Sequence, residues 1–345
     1  MKILITGTDG YLGSVLAPRL LEAGHILTTV DTGFYRDGLL YGDHPRPTSL
    51  HKDIRHINAR DLADHDAVVH MAELSNDPTG ELAPDITYKI NHQASVRLAT
   101  LAREAGVERF VYMSSCSVYG VGGTDFVDET SDLHPQTAYA ICKSYVERDV
   151  QALATDKFSP VFLRNATAYG ASQRMRFDIV LNNLSGLAHT RREIKMLSDG
   201  TPWRPLVHAQ DIALAISTVL TAGREKIHNQ IFNVGDTGHN YQVREIAEFV
   251  AAEYPGCELT LGSQPSDNRS YRVSFDKIHQ AFPEFVCQWD AAKGAHQLKE
   301  LFTAIPLTTE LFEAHPFTRL KALEKLIHED KIDPDFFWKT APHLI

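Results

Sequence analysis

The sequence predicts an α/β fold in which a doubly wound parallel sheet is joined to a smaller mixed α/β C-terminal substrate lobe. Short apolar runs alternate with amphipathic stretches through the first half, which is typical of βαβ units. A glycine-rich loop separates the first predicted strand from the first predicted helix. After about Gly170 the pattern becomes mixed, as expected for a lobe that covers the carboxyl edge of a sheet.

Each predicted element follows from hydrophobic periodicity and flanking turn residues. The predicted strands are Lys2–Thr6, Ile26–Val30, Ala67–His70, Phe110–Met113, Pro160–Arg164, Ile194–Leu197 and Ile231–Val234. The predicted helices are Tyr11–Ala23, Ile86–Ala105, Ala138–Ala154, Phe177–His189, Gln210–Ala222, Val243–Glu253 and the amphipathic stretch Pro316–His328. We therefore expect a nucleotide-binding domain over residues 1–170, a substrate lobe over 171–303 with some return to the sheet, and a helical extension over 304–345. The last helix is expected to dock on its own domain or on a neighbouring subunit.

Composition narrows the class of protein. The chain has 345 residues, which is long enough to bury a sizeable core, and a formal net charge of -10. This charge disfavours nucleic acid and anionic membranes as partners. The four cysteines are scattered without metal-ligand spacing, so we expect reduced thiols and no metal site. Met1 runs directly into a strand and no apolar run approaches membrane-spanning length, which predicts a cytoplasmic protein that does not bind membranes.

The loop after the first strand carries glycines at positions 7, 10 and 13. The first glycine permits a tight turn, the second lets the backbone approach a pyrophosphate, and the third lets the helix pack close to the strand. The following helix N-terminus stabilises the anion. We expect a Rossmann-type dinucleotide site formed by Gly7, Gly10, Tyr11, Leu12 and Gly13.

Asp31 follows the second predicted strand, where a carboxylate accepts hydrogen bonds from the adenosine ribose hydroxyls. An acid at this position repels a 2′-phosphate, and no arginine directly follows it. The sequence therefore favours NAD over NADP, with Arg36 as the one nearby residue that argues the other way.

Three residues with suitable chemistry lie near the fourth predicted strand. Ser115 ends that strand, and Tyr139 and Lys143 stand four positions apart on a predicted helix. This spacing places both side chains on one helix face, so the ammonium can lower the tyrosine pKa from about 10 toward neutrality. An isolated YxxxK pattern occurs by chance in many solvated helices, but beside a nucleotide loop it indicates a tyrosinate base.

The motifs TGxxGYLG, SSxSVYG and YxxxK, in this order, resemble those of the extended short-chain dehydrogenase/reductase family, specifically its sugar-nucleotide epimerases and dehydratases. The likeness covers nearly the whole chain through about Phe302. It implies that Ser115, Tyr139 and Lys143 are catalytic and that Lys143 also contacts the nicotinamide ribose. It further implies cofactor contacts from Asp53, Ile54, Met71, Ala72 and Asn91, the last helping to hold the lysine helix.

The same resemblance implies a substrate site. Arg204 matches an arginine that meets the substrate diphosphate, which suits bidentate guanidinium chemistry, although a surface arginine is the alternative. Arg269 and Arg176 are further candidates. Ser117 and Thr167 are also expected to contact substrate, although Thr167 stands where many relatives carry asparagine.

Two departures from the family pattern bear on the reaction. Dehydratases of this type generally carry an Asp-Glu pair after the active hydroxyl, where this chain has Cys116 and Ser117, and this disfavours elimination of water. The second departure is Glu73, which stands where members of this family commonly carry a small residue. The sequence therefore predicts a homodimeric enzyme that epimerises a nucleoside-diphosphate sugar through a transient keto-sugar and enzyme-bound NADH. The alternatives are a nucleotide-sugar dehydrogenase/reductase, a 4,6-dehydratase and an NAD(H)-sensing regulator.

Overall fold

The structure, a computed structural model, describes residues 1–42, 48–121, 125–196, 198–263 and 270–340. In chain order its strands are β1 Lys2–Thr6, β2 Ile26–Asp31, β3 Thr48–His51, β4 Ala67–His70, β5 Arg109–Ser115, β6 Phe126–Val127, β7 Ser159–Asn165, β8 Thr167–Tyr169, β9 Glu193–Lys195, β10 Trp203–His208, β11 Gln230–Val234, β12 Asn240–Gln242, β13 Glu258–Thr260 and β14 Arg272–Val273. Its helices are α1 Gly13–Glu22, α2 Ala59–Leu62, α3 Asp77–Leu82, α4 Pro84–Thr87, α5 Ser95–Glu104, α6 Ala138–Gln151, α7 Val180–Arg191, α8 Ala209–Thr221, α9 Arg224–Ile227, α10 Val243–Glu253, α11 Asp276–Ala281, α12 Ala291–Ala304, α13 Thr309–Glu313 and α14 Arg319–His328.

The main sheet is parallel throughout, with the strand order β11-β7-β5-β4-β1-β2-β3. One face packs against α1 and α8, through residues such as Leu16 and Ile216, and the other against α5 and α6, through residues such as Leu98 and Val146. A sheet covered on both faces needs apolar residues on both sides of each strand, which explains the near-continuous apolar runs in the sequence. The predicted doubly wound α/β class is confirmed.

The chain leaves the sheet after β7 and returns to it once, as β11. Between and after these strands, β8, β10 and β12 form a three-stranded sheet, while α7, α10 and α12 pack around a third core. This lobe stands at the carboxyl edge of the main sheet. No helix in the described part of the chain is long and apolar enough to cross a membrane.

Several predicted boundaries differ from the structure. The predicted helix Ile86–Ala105 consists of α4, a π-helical segment at Tyr88–Ala94 and α5. Its apolar periodicity is unchanged by the wider turn, so the pattern does not reveal it. The predicted helix at Tyr11 begins at Gly13, because Tyr11 and Leu12 still belong to the loop. The sequence did not predict β3 or β10, which are short or contain proline, and Leu197 of the predicted strand Ile194–Leu197 lies outside the described residues.

The C-terminal segment, which we define as residues 304–340, packs against its own chain. Leu323 and Leu326 of α14 join the core beneath α5 and α6. Farther along, the Trp338 indole donates a hydrogen bond of 2.7 Å to the Thr32 carbonyl, and its ring centroid lies 5.6 Å from that of Phe34. The segment therefore covers the loop that follows β2.

We expect Trp338→Ala to release this part of the segment. The change removes the hydrogen bond to Thr32 and half-buried aromatic contact area, which should lower the free energy of unfolding by about 2 kcal/mol. Chemical denaturation measures the loss, and limited proteolysis should cut faster after residue 330. Lys339→Ala is the control, because the Lys339 ion pair with Asp330 is largely exposed. Equal effects of the two substitutions would contradict the assignment.

Candidate active site

A cavity of about 520 Å³ opens at the carboxyl edge of the main sheet, beneath the second lobe. Its wall brings together nearly every residue that the sequence predicted to bind cofactor or substrate: Gly7, Gly10, Tyr11, Leu12, Gly13, Asp31, Asp53, Ile54, Met71, Ala72, Ser115, Ser117, Tyr139, Lys143, Thr167, Arg176 and Arg204. Across the described ranges, no group of three or more potential metal ligands is arranged to hold an ion.

The glycine loop approaches its neighbours so closely that side chains would not fit. Gly7 has φ +82°, and a Cβ there would lie 2.9 Å from the Ala72 nitrogen. A Cβ on Gly13 would lie 2.4 Å from the Gly7 carbonyl oxygen. No described side chain caps the first turn of α1, although the Ser14 and Val15 N–H groups donate to the Gly10 and Leu12 carbonyls, at 3.1 Å each. The helix N-terminus still presents its partial positive charge to an anion in the cavity. The cradle fits the diphosphate of a dinucleotide.

Asp31 ends β2 beside this loop. Its two carboxylate oxygens accept hydrogen bonds from the Asp9 and Gly33 backbone N–H groups, at 2.9 and 2.8 Å. Burial, with the nearby Asp9 charge, raises the pKa of Asp31 to about 6. Arg36, which argued for NADP, pairs with Asp9 at 2.9 Å instead. An anionic acceptor at this point suits ribose hydroxyl groups and disfavours a further phosphate.

Two side chains that were predicted to contact the cofactor have partners within the protein. Asn91 does not line the cavity: it is fully buried and exchanges two hydrogen bonds with the Leu74 backbone, at 2.9 and 3.0 Å. The Asn91 amide therefore shapes the loop after β4, and the π-helical segment that carries it packs against the lysine helix α6. Asp53 lines the cavity while its carboxylate pairs with Arg55 at 2.8 Å. Arg269 lies outside the described residues.

Helix α6 carries Tyr139 and Lys143 to the end of β5. Thr137 caps this helix by accepting a hydrogen bond from the Ala140 N–H. The Lys143 Nζ lies 5.3 Å from the Tyr139 ring centroid, and the Ser115 hydroxyl interacts with the Tyr139 hydroxyl. The three groups therefore meet at one end of the cavity.

A buried ion pair fixes α6 against the sheet one turn beyond Lys143. The Glu147 carboxylate accepts hydrogen bonds from Arg164 of β7, at 2.7 Å, and from the Ser114 hydroxyl of β5, at 2.5 Å. Both charged side chains are only 3 % exposed, so each needs the other. This contact sets the position of Tyr139 and Lys143 relative to the ends of two strands.

Glu73 changes the electrostatics of the site. Its carboxylate lies 2.6 Å from the Lys143 Nζ and accepts a hydrogen bond of 2.7 Å from the Tyr112 hydroxyl. Burial raises the pKa of Tyr139, and although Lys143 acts to lower it, Glu73 acts to raise it further. The expectation of a Tyr139 pKa lowered toward neutrality is therefore wrong for the net shift, because burial and Glu73 outweigh the ammonium.

The cavity wall also contains residues that sequence reasoning missed. Among them are Tyr35, Ser75, Asp178 and Arg319. Arg319 is 2 % exposed and begins α14, the helix that was expected to dock but for which no binding residue was predicted. No motif marks these residues, and they come from segments that are far apart in the chain.

Comparison with known proteins identifies the family. Residues 3–235 match the model described as the NAD dependent epimerase/dehydratase family. The chain belongs to this family. NAD is its cofactor, as the loop and Asp31 predicted, and the resemblance to sugar-nucleotide epimerases and dehydratases is confirmed.

Similar proteins include both kinds of enzyme. The chain is 26% identical to a dTDP-D-glucose 4,6-dehydratase of Mus musculus over 301 residues, covering 81% of this chain and 82% of the relative. It is 28% identical to a UDP-glucose 4-epimerase of Streptomyces lividans over 267 residues, covering 72% and 80%. The solved structure of MoeE5 in complex with UDP-glucuronic acid and NAD superposes with a TM-score of 0.76 at 25% identity, covering 89% of this chain and all of the other (100%).

We expect the affinity for NAD to fall as the pH falls through about 6, the pKa of Asp31. The ionised carboxylate is the better acceptor for ribose hydroxyls, so binding at pH 5 should be about tenfold weaker than at pH 7.5. Calorimetric titration at the two pH values measures the change. Asp31→Asn should bind NAD weakly at both values, and an identical pH step in that variant would assign the effect to another group.

Proposed function

We propose that this enzyme epimerises a nucleoside-diphosphate sugar with NAD that stays bound between turnovers. The observation that carries the proposal is the meeting of Ser115, Tyr139 and Lys143 at one end of the cofactor cavity, in a family of NAD-dependent epimerases and dehydratases. When bound, NAD would accept a hydride from a sugar carbon and return it to the opposite face.

In this proposal the protein moves a proton at one atom. The Tyr139 Oη takes the proton of the sugar hydroxyl and returns it after the keto-sugar has turned. The Ser115 hydroxyl bridges that oxygen and the substrate, while the Lys143 ammonium stabilises the phenolate and contacts the nicotinamide ribose. No net oxidation results, so tight retention of the cofactor suits the reaction.

The surroundings of Ser115 support epimerisation over elimination of water. Cys116 stands where dehydratases of this family carry an acid. It is buried, and its thiol donates a hydrogen bond to the Arg164 carbonyl. Burial raises the pKa of this thiol, which makes it a poor proton carrier. The next residue, Ser117, lines the cavity and has a buried hydroxyl without a partner among the described residues, which suits a substrate contact.

The substrate would occupy the part of the cavity away from Asp31. We assign Arg204 to its diphosphate, and Ser117 and Thr167 to the sugar or phosphate, because all three line the cavity that Tyr139 also lines. The similar proteins are named for UDP- and dTDP-linked sugars, so these are the first substrates to test.

The reaction is tested by incubating the purified protein, without added NAD, with UDP-, dTDP-, GDP- and CDP-sugars and identifying the products by NMR and mass spectrometry. An epimer of unchanged mass supports the proposal. A product lighter by one water would assign a dehydratase, and a need for stoichiometric NAD would assign a dehydrogenase. Tight NAD binding without any product would favour a sensing regulator.

Tyr139→Phe should keep NAD binding and lower turnover by at least about 100-fold, because general base catalysis contributes about that much. The matched control is Tyr145→Phe on the same helix, where the tyrosine is 38% exposed and should be dispensable. Turnover of Tyr139→Phe at the level of the control would show that another group removes the proton.

Glu73→Gln should move the acidic limb of the pH profile for kcat toward lower pH by about one unit. The substitution removes the negative charge that pairs with Lys143 and raises the pKa of Tyr139. The pKa of Tyr139 therefore falls, and the phenolate forms at lower pH. The charged and titratable groups acting on Tyr139 include Lys143, Glu73 and Asp77, together with Arg176 and Tyr112. Glu104→Gln, an exposed change at the end of α5, should leave the profile unmoved. A shift toward higher pH would contradict this role.

A further inference from the structure

Arg176 and Arg319 meet around the Asp178 carboxylate in the wall of the cavity. Arg176 binds both oxygens of Asp178 through its Nε and Nη2, at 2.8 and 3.1 Å. Asp178 also accepts hydrogen bonds from the Asn76 side chain, at 2.9 Å, and from the Arg319 backbone N–H, at 3.1 Å. None of these four hydrogen bonds comes from the Arg319 guanidinium.

The Arg319 side chain is held by a ring rather than by an acid. Its guanidinium carbon lies 4.1 Å from the Tyr35 ring centroid, and within the described ranges no carboxylate forms an ion pair with it and no acceptor a hydrogen bond. Burial, with repulsion from Arg176, lowers the pKa of Arg319 to about 10, so the group is still charged at neutral pH. The Tyr35 hydroxyl beside it is buried and also lacks a partner among the described residues.

This arrangement leaves the hydrogen-bond donors of Arg319 and Tyr35 without acceptors among the described residues. Asp178 and Asp31 act on the Arg319 charge from a distance, but neither forms an ion pair with its guanidinium among the described residues. A buried guanidinium without a hydrogen-bond acceptor is costly. Both arginines and Tyr35 line the cavity, so a ligand there can supply the missing acceptors. A group with several anionic oxygens matches planar guanidinium donors, and phosphate is the common biological form.

Neighbouring contacts place the cluster beside the dinucleotide cradle. The Asn182 side chain donates to the Tyr11 hydroxyl of the glycine loop, at 3.3 Å, and to the Arg176 carbonyl, at 3.0 Å. Tyr35 follows Asp31 by four residues. Arg176 also reaches Ser75 of the loop after β4 and acts on Tyr139, while Arg319 acts on Asp31. The cluster therefore lies between Asp31 and Tyr139, where the phosphates of a dinucleotide pass between its two nucleosides.

We propose that Arg319, with Arg176 and Tyr35, forms a second phosphate-binding site, and that the C-terminal segment supplies it to close the cofactor cavity over the diphosphate. The glycine loop holds the phosphates from one side through backbone N–H groups, and the two guanidinium groups bind them from the other. The same chemistry would suit the diphosphate of a nucleotide sugar. The two sources are distinguishable by binding alone, so the test does not depend on the proposed epimerase reaction.

The experiment compares the unaltered protein with Arg319→Ala by calorimetric titration. ADP, adenosine and NAD are titrated into protein freed of bound nucleotide, and UDP is titrated into NAD-loaded protein. We expect the dissociation constants of ADP and NAD to rise at least about tenfold, while those of adenosine and UDP stay within about twofold. Lys325→Ala on the same helix is the control, since Lys325 pairs with the surface residue Glu329.

Other outcomes are equally informative. A loss confined to UDP would support the phosphate site and assign it to the substrate diphosphate. Unchanged affinity for all four ligands, or an equal loss for adenosine and ADP, would overturn the proposal. If Arg319→Ala does not fold, as judged by circular dichroism, Arg319→Lys and Tyr35→Phe replace it. Arg319→Lys keeps the charge but loses the planar fork, and Tyr35→Phe removes one donor. Both should weaken ADP binding several-fold, and unchanged ADP affinity in both would overturn the proposal.

Discussion

Parallel pairing of the seven strands of the main sheet is the constraint on which the site depends. Because every strand runs in the same direction, the residues that follow β1, β2, β4 and β5 meet at one edge. Gly7, Asp31, Met71 and Ser115 come from four such ends. Reversing one of these strands would send its carboxyl end to the opposite edge, so the cavity is a direct consequence of strand direction.

Two buried ion pairs hold helix α6 in place at the carboxyl edge of the sheet. Glu147 and Arg164 fix α6 against β5 and β7, and one turn earlier Lys143 binds Glu73 from the segment after β4. Each charged group loses its hydration on burial, and the attraction of its partner compensates for that loss. Removal of one member of a pair is therefore costly. The pairs therefore hold Tyr139 in a defined place, while Glu73 opposes the ionisation that Lys143 favours.

The C-terminal segment joins the nucleotide site rather than lying apart from it. Trp338 packs beside Phe34, and Arg55 lies 3.6 Å from the ring centroid of Phe337. The residues after β2 and β3 are thereby covered by chain that follows the family core. The segment also brings Arg319 into the wall of the cavity, so it contributes a positive charge to the nucleotide site.

The sequence by itself determined the parallel fold, the NAD cradle and the grouping of Ser115, Tyr139 and Lys143, because these follow from local periodicity and short motifs. Tertiary structure alone decided the partners of Glu73, the structural use of Asn91 and the place of Arg319. These features depend on contacts between residues distant in the chain. Whether such a side chain is paired, buried or aimed at a ligand depends on which strand end or helix lies opposite it, and no local pattern carries that information.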